Sequence, residues 1–225
     1  MTELYDGFRI DHLVGFYRTY VRPLDGSAPY FFPLDEAEQL ALGESFVSVM
    51  LQTGADITAE DLGTVPKFVR RSIAKLGVPG YKVLRWEVDN PPAYPPLSVA
   101  MTGTHDTESL AVWWESLTPD ERQRFGIESA VFTSAVRDFL LVLMFNAGSN
   151  LALLPLQDVF GWRDRINLPA STSDANWTYV LPWPVDRMLS EADAVERAER
   201  LSEWTYRTGR WIPKDYKSVL ASTEL

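Results

Sequence analysis

Hydrophobic and polar positions in this chain follow two patterns that take turns, a strict alternation over short runs and a helical recurrence over longer ones. Tyr5 to His12 alternates, so Phe8 and Ile10 point to one face of a strand and Arg9 and Asp11 to the other. Val14 to Pro33 holds no sustained pattern; Pro23, Asp25-Gly26 and Pro29 mark it as loop. Asp35 to Thr53 predicts a helix whose imperfect apolar face is Leu40, Val47, Met50 and Leu51, closed by Gly54. Ala55 to Leu62 predicts a short strand, and Val65 to Leu76 a helix stopped by Gly77. Tyr81 to Trp86 alternates as a third strand, followed by a loop at Pro91, Pro92, Pro95 and Pro96. A fourth strand, Leu97 to Thr104, ends at His105-Asp106. Thr118-Pro119-Asp120-Glu121 is a capping box with Pro at the first helical position. Beyond it come a long, mostly buried helix from Ser129 to Ala147, a fifth strand from Leu151 to Leu156, and a long loop from Asp158 to Trp183. A last helix, from about Glu191 to Arg207, carries Ala194, Val195, Ala198, Leu201 and Trp204 on one side.

Strands that alternate with helices predict an α/β fold of parallel βαβ units, in which working residues gather at the carboxyl ends of the strands. The polar clusters Asp11-His12, Glu60-Asp61 and His105-Asp106 fall at those ends. Patterned sequence resumes after every loop, so residues 1–225 read as a single unit of organisation. A composition of 46% hydrophobic and 23% charged residues is that of a globular chain able to build a large core. The formal charge of −10 argues against nucleic acid and anionic membranes as partners and suits a neutral substrate. Cysteine is absent, which excludes disulfide and thiolate chemistry. The longest apolar run, Phe139 to Phe145, is too short to span a membrane, and no signal-peptide pattern opens the chain; a cytoplasmic protein is expected.

Arg9 sits two residues before Asp11 and on the same strand face, so a permanent cation lies beside that carboxylate. An ionised carboxylate fixed at a strand end suits a covalent nucleophile; the simpler reading is a strand-end ion pair. Glu60 follows Ile57-Thr58-Ala59, and a partly apolar setting there would suit a proton donor. The simpler reading of Glu60-Asp61 is an acid pair at a helix N-terminus, and that of His105-Asp106 a buried hydrogen-bonded pair. The two histidines, His12 and His105, each adjoin an Asp, so Asp11, Glu60 and Asp106 with both histidines could also hold a metal. No metal-binding spacing supports that alternative. Carbohydrate chemistry fits better: retaining glycoside cleavage needs one ionised carboxylate and one proton-carrying carboxyl about 5–5.5 Å apart. Eight tryptophans could supply flat platforms for sugar rings, although most will be packing. Packing and turn formation are also the simpler reading of Asn167, Asn176 and Trp177, and Arg70-Arg71 reads as solvated helix surface.

The stretches DGFRIDH, TAEDLG, PGYKVL and TGTHDTESLAVWW, in this order, resemble the 4-α-glucanotransferases of glycoside hydrolase family 77, the amylomaltases or disproportionating enzymes. LPLQDVFGWRDRINLPASTSDANWTY is similar to that family's last barrel strand and following loop. The resemblance implies Asp11 as catalytic nucleophile, Glu60 as general acid/base and Asp106 as transition-state stabiliser. It implies Arg9 as the support of the nucleophile and His105 as a sugar-binding residue. It further implies a (β/α)8 barrel, a retaining double displacement on α-1,4-glucans and maltooligosaccharides, and no cofactor or metal.

Two departures qualify the resemblance. Thr107-Glu108-Ser109 stands where many relatives carry Asn-Asp-Thr, a change expected to affect the rim more than the chemistry. The five strands predicted correspond to about the fourth to eighth of the barrel, and the first strands have no counterpart in the chain. The expectation is a C-terminal barrel portion, inactive alone, whose partner would be a complementary N-terminal half-barrel. An α-glucan hydrolase of the same clan and a non-catalytic glucan-binding remnant stand as alternatives.

Overall fold

The β1 strand, Gly7–Ile10, pairs in parallel with β4, Asp56–Ala59, with Arg9 opposite Thr58 and Ile10 opposite Ala59. A parallel pair needs a long crossover, here the chain between residues 10 and 56. Gly7 faces Asp56 at the start of the pair, where an added Cβ would lie 2.6 Å from the Asp56 carbonyl oxygen. The computed structural model describes residues 3–87 and 90–210. Among them the chain divides into two compact units. The first is built from the chain up to Lys82 with Pro95–Val99 and Ser149–Leu151; the second from Val83–Tyr94, Ala100–Gly148 and the chain from Ala152 onward.

In the first unit the crossover carries α1, Val14–Tyr17, then a two-stranded antiparallel ribbon of β2, Thr19–Val21, and β3, Tyr30–Phe32, then α2, Glu36–Leu51. The loop expected over Val14–Pro33 therefore holds a helical turn and a ribbon. Three-residue strands are too short for an alternation to show, and Tyr30, Phe31 and Phe32 are all exposed. Asp35 caps α2 through its side chain, which accepts from the backbone N–H groups of Ala37 and Glu38. Tyr17 lies on Gly43 of α2, so closely that a Cβ there would fall 2.2 Å from the ring. The ring is fully buried and its hydroxyl is 2.9 Å from Ser72 of α3, Lys67–Lys75. Ile10, Leu13, Tyr17, Val47, Ile57, Val69 and Ile73 form this unit's core.

The strands β5, Gly80–Val83, β6, Ser98–Met101, and β7, Leu151–Ala152, are hydrogen-bonded in that order, and the unit boundaries fall within them. In the second unit follow α4, Leu110–Ser116, α5, Pro119–Gln123, α6, Ser134–Phe145, α7, Leu156–Phe160, and α8, Ala192–Arg207. The capping box at Thr118 and Glu121 is formed in both directions. The helix expected from Ser129 starts later, where the Thr133 hydroxyl caps Val136. The strand expected through Leu156 stops at Ala152, because Pro155 caps α7 and Gly161, at φ 77°, ends it. On α8 the inward residues are Ala194, Arg197, Leu201 and Trp204; Val195 and Ala198, expected inside, face solvent. Arg197 is buried because its guanidinium meets Asp138 of α6 at 2.9 Å. Trp113, Trp114, Leu140, Leu141, Met144 and Trp204 lie in the second core. Among the described residues no helix is long and apolar enough to cross a membrane.

Candidate active site

The parallel register of β1 and β4 settles where the first two acids go. Ile10, Ile57 and Ala59 turn into the core, so Arg9, Asp11, Thr58 and Glu60 share the opposite face. Two further backbone bonds extend the pair beyond the strands, from Glu60 N–H to the Ile10 carbonyl and from Leu13 N–H to the Glu60 carbonyl. One Arg9 nitrogen, Nη2, lies 2.7 Å from Asp11 Oδ1 and 3.2 Å from Glu60 Oε2. The same Oε2 accepts the His12 backbone N–H at 2.9 Å. His12 adopts φ 44°, a left-handed conformation uncommon for a side-chain-bearing residue, and in it the N–H points at Glu60. Glu60 therefore sits between a guanidinium and a backbone donor; of the neighbours expected to give it a partly apolar setting, Ile57 and Ala59 turn to the other face and Thr58 shares its own. Its Oε1 makes no hydrogen bond among the described residues. The Asp11 side chain is 73% exposed, open to an incoming molecule. Arg9 is itself flanked by the buried Tyr81 ring, 5.8 Å from the guanidinium carbon. Burial pushes the Tyr81 hydroxyl above its ordinary pKa, against the lowering pull of Arg9 and Thr58.

Asp61, next in sequence to Glu60, does different work. Its carboxylate is buried and accepts the Tyr81 backbone N–H at 2.7 Å. A Cβ on Gly80 would meet that carboxyl at 2.8 Å, so the close approach needs glycine. Arg70 donates to the Asp61 carbonyl at 3.1 Å and stands 3.8 Å from its carboxylate, so of the arginine pair Arg70 is partnered and half-exposed and Arg71 is exposed helix surface. The expectation of an acid pair at a helix N-terminus is not met, since α3 begins at Lys67.

In the second unit Asp106 follows β6 in a turn stitched by Thr107, whose hydroxyl accepts from the Thr104 N–H and donates to the Thr104 carbonyl. Asp106 Oδ1 accepts from Asn167 Nδ2 at 2.6 Å and lies 3.4 Å from His105 Nε2. Asn167 N–H donates to the His105 carbonyl at 3.1 Å, and the His105 ring packs against Trp177 with centroids 5.2 Å apart. Trp177, at φ 63°, is 64% exposed, and Asn176 ties the loop by accepting from the Leu168 N–H. Of the three loop residues read as packing and turn formation, Trp177 packs on His105 and Asn176 ties a turn, while Asn167 donates to a candidate catalytic carboxylate. Glu108, in the stretch expected to affect the rim, has a carboxylate that accepts from the buried Arg85 at 2.8 Å and faces Arg165 at 3.7 Å. Among the described residues no group of three or more His, Asp or Glu is arranged to hold a metal ion.

A family described as 4-alpha-glucanotransferase matches the chain over residues 1–185. A 4-alpha-glucanotransferase of Chlamydia caviae is 30% identical over 212 residues, covering 84% of this chain and 40% of that protein. The Chlamydia trachomatis 4-alpha-glucanotransferase is 32% identical over 214 residues, with the same shares covered. Among solved structures, an amylomaltase from Streptococcus agalactiae in complex with acarbose is similar with a TM-score of 0.70 and 22% identity. That match covers 91% of this chain and 42% of the amylomaltase, and it shows a shared α/β fold. The chain spans about 40% of the length of the first relatives it matches. The region matched takes in Arg9, Asp11, Glu60, His105 and Asp106, and the chain belongs to the 4-α-glucanotransferase family, glycoside hydrolase family 77.

Proposed function

We propose that the chain supplies the catalytic carboxylates of a 4-α-glucanotransferase and corresponds to the C-terminal portion of a (β/α)8 barrel, about strands four to eight. The observation that carries this reading is the shared face of β1 and β4, where Asp11 and Glu60 end neighbouring strands and divide one arginine between them. Asp11, exposed and paired with Arg9, attacks the anomeric carbon of an α-1,4-linked glucosyl unit while the bond to the leaving glucan breaks. Glu60 gives its proton to the departing oxygen. Both of its hydrogen bonds fall on Oε2, which leaves Oε1 to carry that proton. In the return step the 4-hydroxyl of an acceptor glucan gives its proton to Glu60 and attacks the anomeric carbon, releasing Asp11. Asp106 steadies the charge that develops on the ring, and His105, backed by Trp177, contacts sugar. The three acids do not themselves choose between water and sugar; a bound acceptor prevails by its high effective molarity.

Maltotriose incubated with the chain and a polypeptide spanning the N-terminal portion of a family member tests the proposal. Disproportionation to glucose and longer chains, at constant reducing-end count, is expected from the mixture and not from the chain alone. Glu60→Gln should slow it by about 10²–10⁴-fold, and Asp11→Asn should abolish it. Turnover that survives Asp11→Asn, or a reducing-end count that climbs, overturns the reading.

A further inference from the structure

We propose that Arg165, anchored by Glu108 and the buried Arg85, is a positioning residue that holds the Asn167 amide on the Asp106 carboxylate. The proposal rests on the glucanotransferase reading for its use, but its geometry stands apart from it. The guanidinium of Arg165 donates through Nε to the Asn167 carbonyl at 2.8 Å and through Nη2 to the Asp106 carbonyl at 2.6 Å. One rigid fork therefore clips together two backbone positions 61 residues apart. A third link, Asn167 N–H to the His105 carbonyl, aligns the two segments. With both carbonyls fixed, Asn167 Nδ2 is delivered to Asp106 Oδ1 at 2.6 Å.

What holds Arg165 lies deeper. Its Nη1 faces Glu108 Oε2 at 3.7 Å, and Glu108 Oε1 accepts from Arg85 Nη1 at 2.8 Å. The Arg85 side chain is 3% exposed. It also donates to the Glu108 carbonyl at 3.0 Å and the Thr102 carbonyl at 3.2 Å, and lies over the Trp113 ring. A Cβ on Gly103 would meet Arg85 Nη2 at 2.7 Å, so the path of the buried guanidinium depends on that glycine. Charge thus runs Arg85, Glu108, Arg165, from core to the Asp106 turn. Glu108 stands between two cations, and removing its charge leaves Arg165 without a carboxylate on that side.

The test uses the 225-residue chain with selectively labelled asparagine and no substrate. The Asn167 side-chain amide, assigned through Asn167→Ser, should show one proton shifted downfield and protected from exchange. Arg165→Met should speed that exchange at least tenfold and return the shift to that of a free amide, while the melting curve stays cooperative. Glu108→Gln, which leaves the Arg165 fork in place, should produce a smaller change in the same direction. Arg165→Lys, with a single ammonium in place of the fork, should not restore protection. An Asn167 amide unchanged in Arg165→Met overturns the proposal, whatever Glu108→Gln does. Failure of glucan transfer would remove the reaction but not this coupling, so the two failures are read separately.

Discussion

Asp158 shows how one buried carboxyl can set a pH response. It is 1% exposed, accepts the Leu110 backbone N–H at 2.6 Å and bonds the Thr102 hydroxyl. Burial raises its pKa above the ordinary carboxylate value, against the lowering pull of those two partners and of Arg85. A carboxyl raised in the folded state contributes stability below its unfolded pKa and loses it as pH climbs through the folded one. Asp158→Asn keeps an acceptor for Leu110 and carries no charge. The melting temperature of the variant relative to the parent should therefore rise as pH goes from about 4 to about 7. A difference that stays flat, or runs the other way, refutes the assignment. At this scale the sequence showed Arg9 beside Asp11 plainly, because two residues apart on a strand means one face. It could not show that Asn167 reaches Asp106 or that Arg85 reaches Glu108, since those meetings depend on how distant loops fold back.

Among elements, the contact of α1 with α2 is the most exacting. Tyr17 is pinned at both ends, its ring over Gly43 and its hydroxyl on Ser72, which in turn donates to Glu44 at 3.0 Å. Gly43→Ala would gain about 0.5–1 kcal/mol in helix propensity, but it places a methyl group inside the ring. Overpacking of this kind costs about 1–3 kcal/mol, so urea unfolding should show a net loss of stability. Unchanged stability would mean that Tyr17 moves freely. Elements with their own chemistry were legible before the fold: Asp35 at the head of α2, the capping box of α5, and the strands that carry Asp11 and Glu60. Elements without a repeat were not. Helix α4 buries Leu110, Ala111, Trp113 and Trp114 on several sides, so no polar face marks it, and five-residue α7 is too short for any period to register.

The whole molecule, with a net charge of −10, owes its order to two cores, one drawn from the continuous run between Phe8 and Val78 and the other from residues spread between Leu84 and Trp204. Family membership was legible from motifs spread from Asp6 to Tyr179, because each is a short run of residue types whose order can be read along the chain before the fold is known. The division into two units was not, because it follows from contacts between stretches far apart in sequence. The boundaries that fall inside β5, β6 and β7 carry a practical consequence. The polypeptide is braided: it leaves the first unit after Lys82, re-enters at Pro95–Val99, and returns again at Ser149–Leu151. No pair of scissors applied once can release either half intact. A peptide ending at Lys82 keeps the core that spans Phe8 to Val78 but forfeits two of its three threads, and circular dichroism should show it melting cooperatively at a lower temperature than the full chain.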